Sequence, residues 1–316
     1  MMVSSTRGKI KMNFQKKALL PLMLSTLFLL AACGGGGGGS DSNSQTSSTS
    51  KPAPSGASAT SVSTALPSSA SAPSSASSPV MAGEALPSLA NPQPGSTAST
   101  GANAEGIWAS FSGIDHDLAL VDSNSNISSL TAVGTVVMDK FYGVISATPQ
   151  AWTLTSGWDF STVFVNPTTS GSGTYAPQKT FTGSYVVSGG TTNIAWTYDA
   201  ANALSVTQES VAGTWSQPGT SMTIGNDGSL TGTLSGCNVS GTMLLTDAGT
   251  NHNMYTATIS AAAGSTCTMP AGMAYTGNAA ITFVPITGSN GYQRTILYSL
   301  KAADNLHVAY GQLPKQ

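Results

Sequence analysis

The sequence predicts an all-β protein: antiparallel up-and-down β-barrels, arranged in two lobes, behind a disordered tether. Three observations lead there. From Glu105 onward, short Thr-, Val- and aromatic-rich runs alternate with Gly, Asn, Asp, Ser and Pro turn clusters roughly every ten residues, and no stretch keeps a helical period. All five tryptophans and all nine tyrosines lie in that part, whereas residues 34–104 hold no aromatic residue. Gly106-Ile107-Trp108 returns as Gly213-Thr214-Trp215, dividing the folded part into lobes at 105–208 and 209–316. A single larger sandwich or barrel with an accidental repeat is the alternative.

Residues 1–32 read as an export signal. Lys9, Lys11, Lys16 and Lys17 form a basic start, and Ala18 to Ala32 is almost wholly apolar. Those 15 positions, interrupted by Pro21, Ser25 and Thr26, fall short of the roughly 20 apolar residues a spanning helix needs. Met12 to Cys33 is a complete signal by itself, so either Met1 or Met12 serves as the start. Leu30-Ala31-Ala32-Cys33 resembles the lipobox of bacterial lipoproteins. That resemblance implies cleavage before Cys33, a diacylglycerol on its thiol and a further acyl chain such as palmitate on its amine. Several acyl chains anchor stably where one does not. Removing the signal leaves 6 basic against 13 acidic residues, a formal charge of −7. Such a chain attracts neither nucleic acid nor anionic head groups.

Residues 33–104 comprise the lipidated cysteine and the tether. Gly34 to Ala104 opens with six glycines and continues in Ser, Ala, Thr, Pro and Gly. It holds eight prolines and three charges, Asp41, Lys51 and Glu84. That composition cannot bury enough apolar surface to offset the entropy of ordering, so a flexible coil is expected, with a root-mean-square span of about 45 Å. Around Ser68 to Pro79 the sequence suits either an O-glycosylated stalk or a bare spacer.

In the second lobe the expected strands are Gly213–Ser216, Ser221–Ile224, Ser229–Leu234, Asn238–Leu245, Asn253–Ser260, Ala274–Val284, Tyr292–Leu300 and Leu306–Gly311. Asn226-Asp227-Gly228, Asp247-Ala248-Gly249 and Ser289-Asn290-Gly291 are hairpin signals, because these residue types tolerate positive φ. Closing eight such strands into a barrel removes the exposed edges. The first lobe reads as a degenerate copy, in which Gly171-Ser172-Gly173 is taken as a loop.

The Gly-x-Trp opening is similar to that of lipocalin-like barrels, where a tryptophan plugs one end under a C-terminal arginine. By that resemblance Arg294 would cover Trp215, although Arg294 falls in the seventh strand and not beyond the last. Gly213 to Thr233 also looks like the first hairpin of avidin-like barrels. No tryptophan follows Trp215, so the walls of a biotin pocket are missing and biotin is rejected. Lipid anchor, glycine-rich tether and paired barrels together resemble surface lipoproteins that bind transferrin or complement factor H. This implies partner binding and names no partner.

With Cys33 taken by lipid, Cys237 and Cys267 form an even pair in an oxidising compartment and are expected to be disulfide-bonded. Closing a loop of about 30 residues is worth roughly 3.5 kcal/mol from chain entropy. A thiolate metal site would need further ligands, and only His252 lies between the two. Asp115-His116-Asp117 reads as a solvated loop, His252 as part of a hairpin turn, and His307 as lying on the last strand. Trp152, Trp158 and Trp196 read as core residues, with a sugar- or lipid-binding platform as the alternative. No Gly-x-Ser-x-Gly elbow, glycosidase carboxylate motif or phosphate loop is present. No catalytic residue, cofactor or metal site is therefore expected.

The expectation is a non-catalytic lipoprotein of the outer membrane, since Gly34 follows Cys33 where an aspartate would signal inner-membrane retention. The cell surface is favoured over the periplasmic face. Its partners would be the membrane, through the Cys33 lipid, and a host protein, envelope protein or glycan. An envelope hydrolase with a site assembled across the fold is the alternative. The two differ in whether His116, His252 or His307 meets a carboxylate and a hydroxyl in a cleft.

Overall fold

The computed structural model describes residues 82–101 and 103–316. The signal, Cys33 and the tether up to residue 81 lie outside the described residues. The described chain is two eight-stranded antiparallel barrels in tandem.

The first barrel consists of β1 (Gly106–Ser112), β2 (Asp115–Val121), β3 (Asn126–Val133), β4 (Val136–Thr148), β5 (Ala151–Ser161), β6 (Val165–Ala176), β7 (Thr180–Val187) and β8 (Gly190–Tyr198). It closes where β1 meets β8, Trp108 opposite Tyr198 and Ala109 opposite Thr197. The second consists of β9 (Gly213–Gln217), β10 (Thr220–Ile224), β11 (Ser229–Leu234), β12 (Cys237–Leu245), β13 (Tyr255–Ala261), β14 (Ala274–Pro285), β15 (Tyr292–Ala302) and β16 (Val308–Pro314). Its end strands meet at one bridge, Trp215 with Lys315, beside a 3.0 Å bond from the Gln316 N–H to the Thr214 carbonyl. Each strand of both barrels pairs with its sequence neighbour, as short connections favour.

Alternation makes the cores. β13 buries every second residue, Tyr255, Ala257, Ile259 and Ala261, and sends the threonines and Ser260 outward. The second barrel fills with Trp215, Met222, Leu230, Met243, Tyr275 and Ile296, among others. The first fills with aromatics: Phe181 packs against Trp108, Trp152 and Trp196 at 5.5, 5.2 and 5.6 Å between ring centres. Both barrels are therefore solid with side chains.

The repeated tripeptide has the same physical role twice. Trp108 and Trp215 are each fully buried, and each indole N–H donates to the carbonyl four residues upstream, Ala104 at 3.0 Å and Val211 at 2.7 Å. Gly106 enters its strand at φ +143°, and a Cβ there would sit 2.5 Å from the Tyr198 ring, so glycine is required.

A third cluster lies between the barrels: Ile107, Leu120, Leu130, Ala201, Met254, Ala280 and Leu297. Two buried amides pin it. Asn202 accepts from the Ile107 N–H at 2.8 Å and donates to the Ile107 and Asp199 carbonyls at 2.7 and 2.8 Å. Asn253 accepts from the Ile281 N–H at 3.0 Å and donates to the Ala201 and Ile281 carbonyls.

Three expectations need correction here. The tether does not extend to Ala104: residues 82–101 and 103–104 belong to the fold. Glu84 pairs backbone to backbone with Tyr292, and its carboxylate holds Arg294. Gln93 bonds Ala203 and Ser205, and helix α1 (Thr97–Thr100) buries Thr97 and Ala98. The segment has little apolar surface of its own, and the barrels order it through hydrogen bonds, which composition does not register. Asp115-His116-Asp117 is the start of β2 rather than a loop, because Phe111 and Val133 across the ladder continue the sheet there. Gly171-Ser172-Gly173 is the middle of β6. A Cβ on Gly173 would lie 1.9 Å from the Thr182 carbonyl, so this glycine marks close strand approach rather than a turn.

Candidate functional site

The disulfide is present between Cys237 and Cys267, joining the start of β12 to the loop after β13. Arg294 does not cover Trp215. It is drawn to Glu84 at 2.6 Å and lies 5.7 Å from the Phe283 ring centre, while Lys315, one residue past β16, takes the place over Trp215 at 5.4 Å. A cation does cover the tryptophan, from beyond the last strand, but it is a lysine. Trp152 and Trp196 are core residues, and Trp158 is not: it is partly buried on the outer face of the first barrel. His307 precedes β16 and pairs with Asp304 at 2.6 Å on the surface. His116 stacks loosely on Phe111 at 6.2 Å. The Asp117 carboxylate accepts from the Trp196 indole at 3.2 Å.

Three features could act on something outside the chain. The first is the rim of the first barrel where β1–β2, β3–β4 and β5–β6 turn. Alternate hairpins of an up-and-down barrel share one end, and the Gly134 N–H bonds the Ile114 carbonyl at 2.8 Å across two of these turns. Here Phe111, Ile114, Val136, Val163 and Phe164 are 72, 70, 57, 72 and 66 % exposed. Hairpin tips are ordinarily polar. The signal in the sequence is the apolar pair Val163-Phe164 in the short turn between β5 and β6.

The second is a groove of about 440 Å³ between the barrels. Trp158 and its cross-strand neighbour Tyr142 form one wall, and Asn278, Lys301 and Asn305 the other. Asp122 lies at its edge, and its carboxylate accepts two 2.8 Å bonds from Asn126. Burial pushes this carboxyl above the usual range, against the opposing effect of Asn126. Burial lowers the Lys301 ammonium, which donates to the Asn305 amide oxygen. The Ser128 hydroxyl in the wall is buried with no partner among the described residues. Size and lining suit a small polar ligand such as a sugar.

The third is the surrounding of His252, in the loop between β12 and β13. Its Nδ1 lies 2.9 Å from Glu105 Oε1, and its Nε2 lies 2.8 Å from Thr100 Oγ1. Glu105 is buried at 5 % exposure. Burial raises its pKa first, with smaller upward pushes from Asp247 and Asp122 and an opposing pull from His252. The Tyr198 hydroxyl is buried without a partner among the described residues. Burial, then the Glu105 charge, raises its pKa. Sequence reading had His252 in its turn, but Thr100 and Glu105 are 152 and 147 residues away, and no local pattern joins them.

Two tandem up-and-down barrels with solid cores, joined by an apolar seam and a polar groove, define the class of protein. No family model, curated protein or solved structure matches the chain.

Proposed function

We propose that the protein is a non-catalytic envelope lipoprotein, held in the outer membrane by acyl chains on Cys33, that binds a protein partner through the apolar rim of its first barrel. The carrying observation is the set of five large apolar side chains at one barrel end, each more than half exposed. Such a patch on a secreted chain is unfavourable unless something covers it. Fully burying each side chain would contribute about 1.5–3 kcal/mol. Solid barrel interiors leave the outer surfaces for binding. The lipobox resemblance supplies the anchor, Gly34 the outer-membrane address, and the Ser/Pro-rich tether the reach that favours the cell surface.

The test is site-specific photo-crosslinking on intact cells. A photoreactive residue at Ile114 or Phe164 should give a discrete adduct, and one at exposed Gln217 on the second barrel should not. Equal labelling at all three positions, or none at the rim, would overturn the proposal.

A second reading, an envelope hydrolase, has one observation in its favour: Thr100, His252 and Glu105 lie in the order hydroxyl, imidazole, carboxylate. Two points count against it. None of the three lines the groove between the barrels. The Thr100 and Gly101 N–H groups, which would have to hold an oxyanion, are bonded to the Ser96 and Thr97 carbonyls. Ester hydrolysis lost on His252→Ala would restore this reading.

A further inference from the structure

We infer that Glu105, Asp247 and His252 form a binding site for a zinc-class divalent cation that clasps the two barrels together. The ligand-capable atoms of the three residues all lie within 4.8 Å of one another. Ligands on a tetrahedral zinc at about 2.1 Å stand about 3.4 Å apart, so closing on an ion needs side-chain movement only. One imidazole with two carboxylates is a mixed nitrogen–oxygen donor set, which suits zinc and its neighbours better than magnesium or calcium. Three protein ligands leave a fourth position for water.

The surroundings hold the donors in place. Glu105 immediately precedes β1, and its N–H bonds the Asn103 side chain at 3.0 Å. Asp247 and His252 share the β12–β13 loop, closed by the Thr246 N–H to the Met254 carbonyl at 3.1 Å and the Thr250 hydroxyl to the Asp247 carbonyl at 2.8 Å. Asn253, beside the histidine, is locked into the seam. An ion here would therefore bridge the entry of the first barrel and a loop of the second.

The hydrogen bonds around the ring suit a cation at Nδ1. The Thr100 hydroxyl donates to the Ser96 carbonyl at 3.1 Å and its oxygen lies 2.8 Å from Nε2, while Nδ1 lies 2.9 Å from Glu105 Oε1. A cation would take the Nδ1 lone pair of the neutral imidazole, with the ring proton carried on Nε2. Nε2–H would then donate to the Thr100 oxygen, whose own hydroxyl already donates to the Ser96 carbonyl. Thr100 is thus the outer partner that orients the ring.

The experiment uses untagged full-length chain, stripped with chelator and dialysed against micromolar ZnCl2. One zinc per chain should be retained, and the melting temperature should rise with ZnCl2 but not with MgCl2. Asp247→Asn should lose the zinc while melting like the zinc-free wild type, because the Asp247 carboxylate makes no hydrogen bond among the described residues. Thr100→Val should weaken zinc binding by about 10–100-fold. His252→Ala should also lose the zinc; if that variant fails to fold, Asp247→Asn decides. Failure of the wild type to retain zinc, or retention by the Glu105→Gln/Asp247→Asn double variant equal to that of the wild type, would overturn the site. Neither result bears on the rim.

Discussion

Replacing Asn202 by alanine should cost about 3–5 kcal/mol of stability. The side chain is fully buried, and its three hydrogen bonds all go to backbone groups between β1 and the connection that follows β8. The three partners are not equally dependent on it. The Ile107 carbonyl also accepts from the Asp199 N–H at 3.0 Å, and the Asp199 carbonyl accepts from the Asn202 N–H at 3.2 Å. Both survive the substitution with one bond. The Ile107 N–H has no second partner among the described residues, and an orphaned buried donor costs about 1–3 kcal/mol. The two lost donor bonds add about 1 kcal/mol each. The assay is urea unfolding of the full chain with the disulfide intact, followed by tryptophan fluorescence, with exposed Asn193→Ala as control. Asn202→Asp is a sharper probe. Its carboxylate would face two carbonyls, so it should be worse than alanine at pH 7. It should recover in acid, where the protonated group can donate. An Asn202→Ala loss within about 0.5 kcal/mol of the control, the usual surface range, would refute the reasoning.

Three further outcomes are expected. The Cys237→Ala/Cys267→Ala double variant should lose about 3.5 kcal/mol, read as a lowered urea midpoint, and reducing agent should lower the wild type without changing the variant. Asp159, buried and beside Asp139, is pushed up to about 7, first by burial and then by its neighbour. A carboxyl raised in the folded state is unpenalised below its unfolded value and loses stability as pH rises through its folded value. Asp159→Asn should therefore raise the melting temperature at pH 8 and leave it nearly unchanged at pH 4. Protease added to intact cells should cut before residue 82, since Glu84, Gln93 and Ala98 are bonded to the barrels or their connection. If the released fragment appears only after the outer membrane is permeabilised, the domain faces the periplasm.

Much of the architecture was legible because β structure writes itself locally. All eight strands of the second barrel fall within three residues of their expected ends, since alternation and Asn/Asp/Gly turns are short-range signals. The Gly-x-Trp repeat was legible too, as glycine at positive φ and a plugging indole are both local requirements. The cysteine pair followed from parity. The ordered tail of the tether was not legible, since Glu84, Gln93 and Thr97 owe their positions to partners about 110 to 210 residues away. Nor was the identity of the cation over Trp215. Arg294 and Lys315 were both available, and the choice depended on Glu84 folding back to capture the arginine.

By itself, the sequence determined the strand periodicity, the turns, the disulfide and the duplication, each of which depends on neighbours along the chain or on simple counting. Only tertiary structure decided which side of each strand faces the other barrel, which hairpins share a rim, and that a threonine, a glutamate and a histidine meet. Those juxtapositions follow from barrel closure and from packing Ile107, Leu120 and Leu297 into one seam. The physical reason is that apolar burial is non-directional. It drives the two barrels together, and the particular shapes and buried amides of the seam then choose the arrangement.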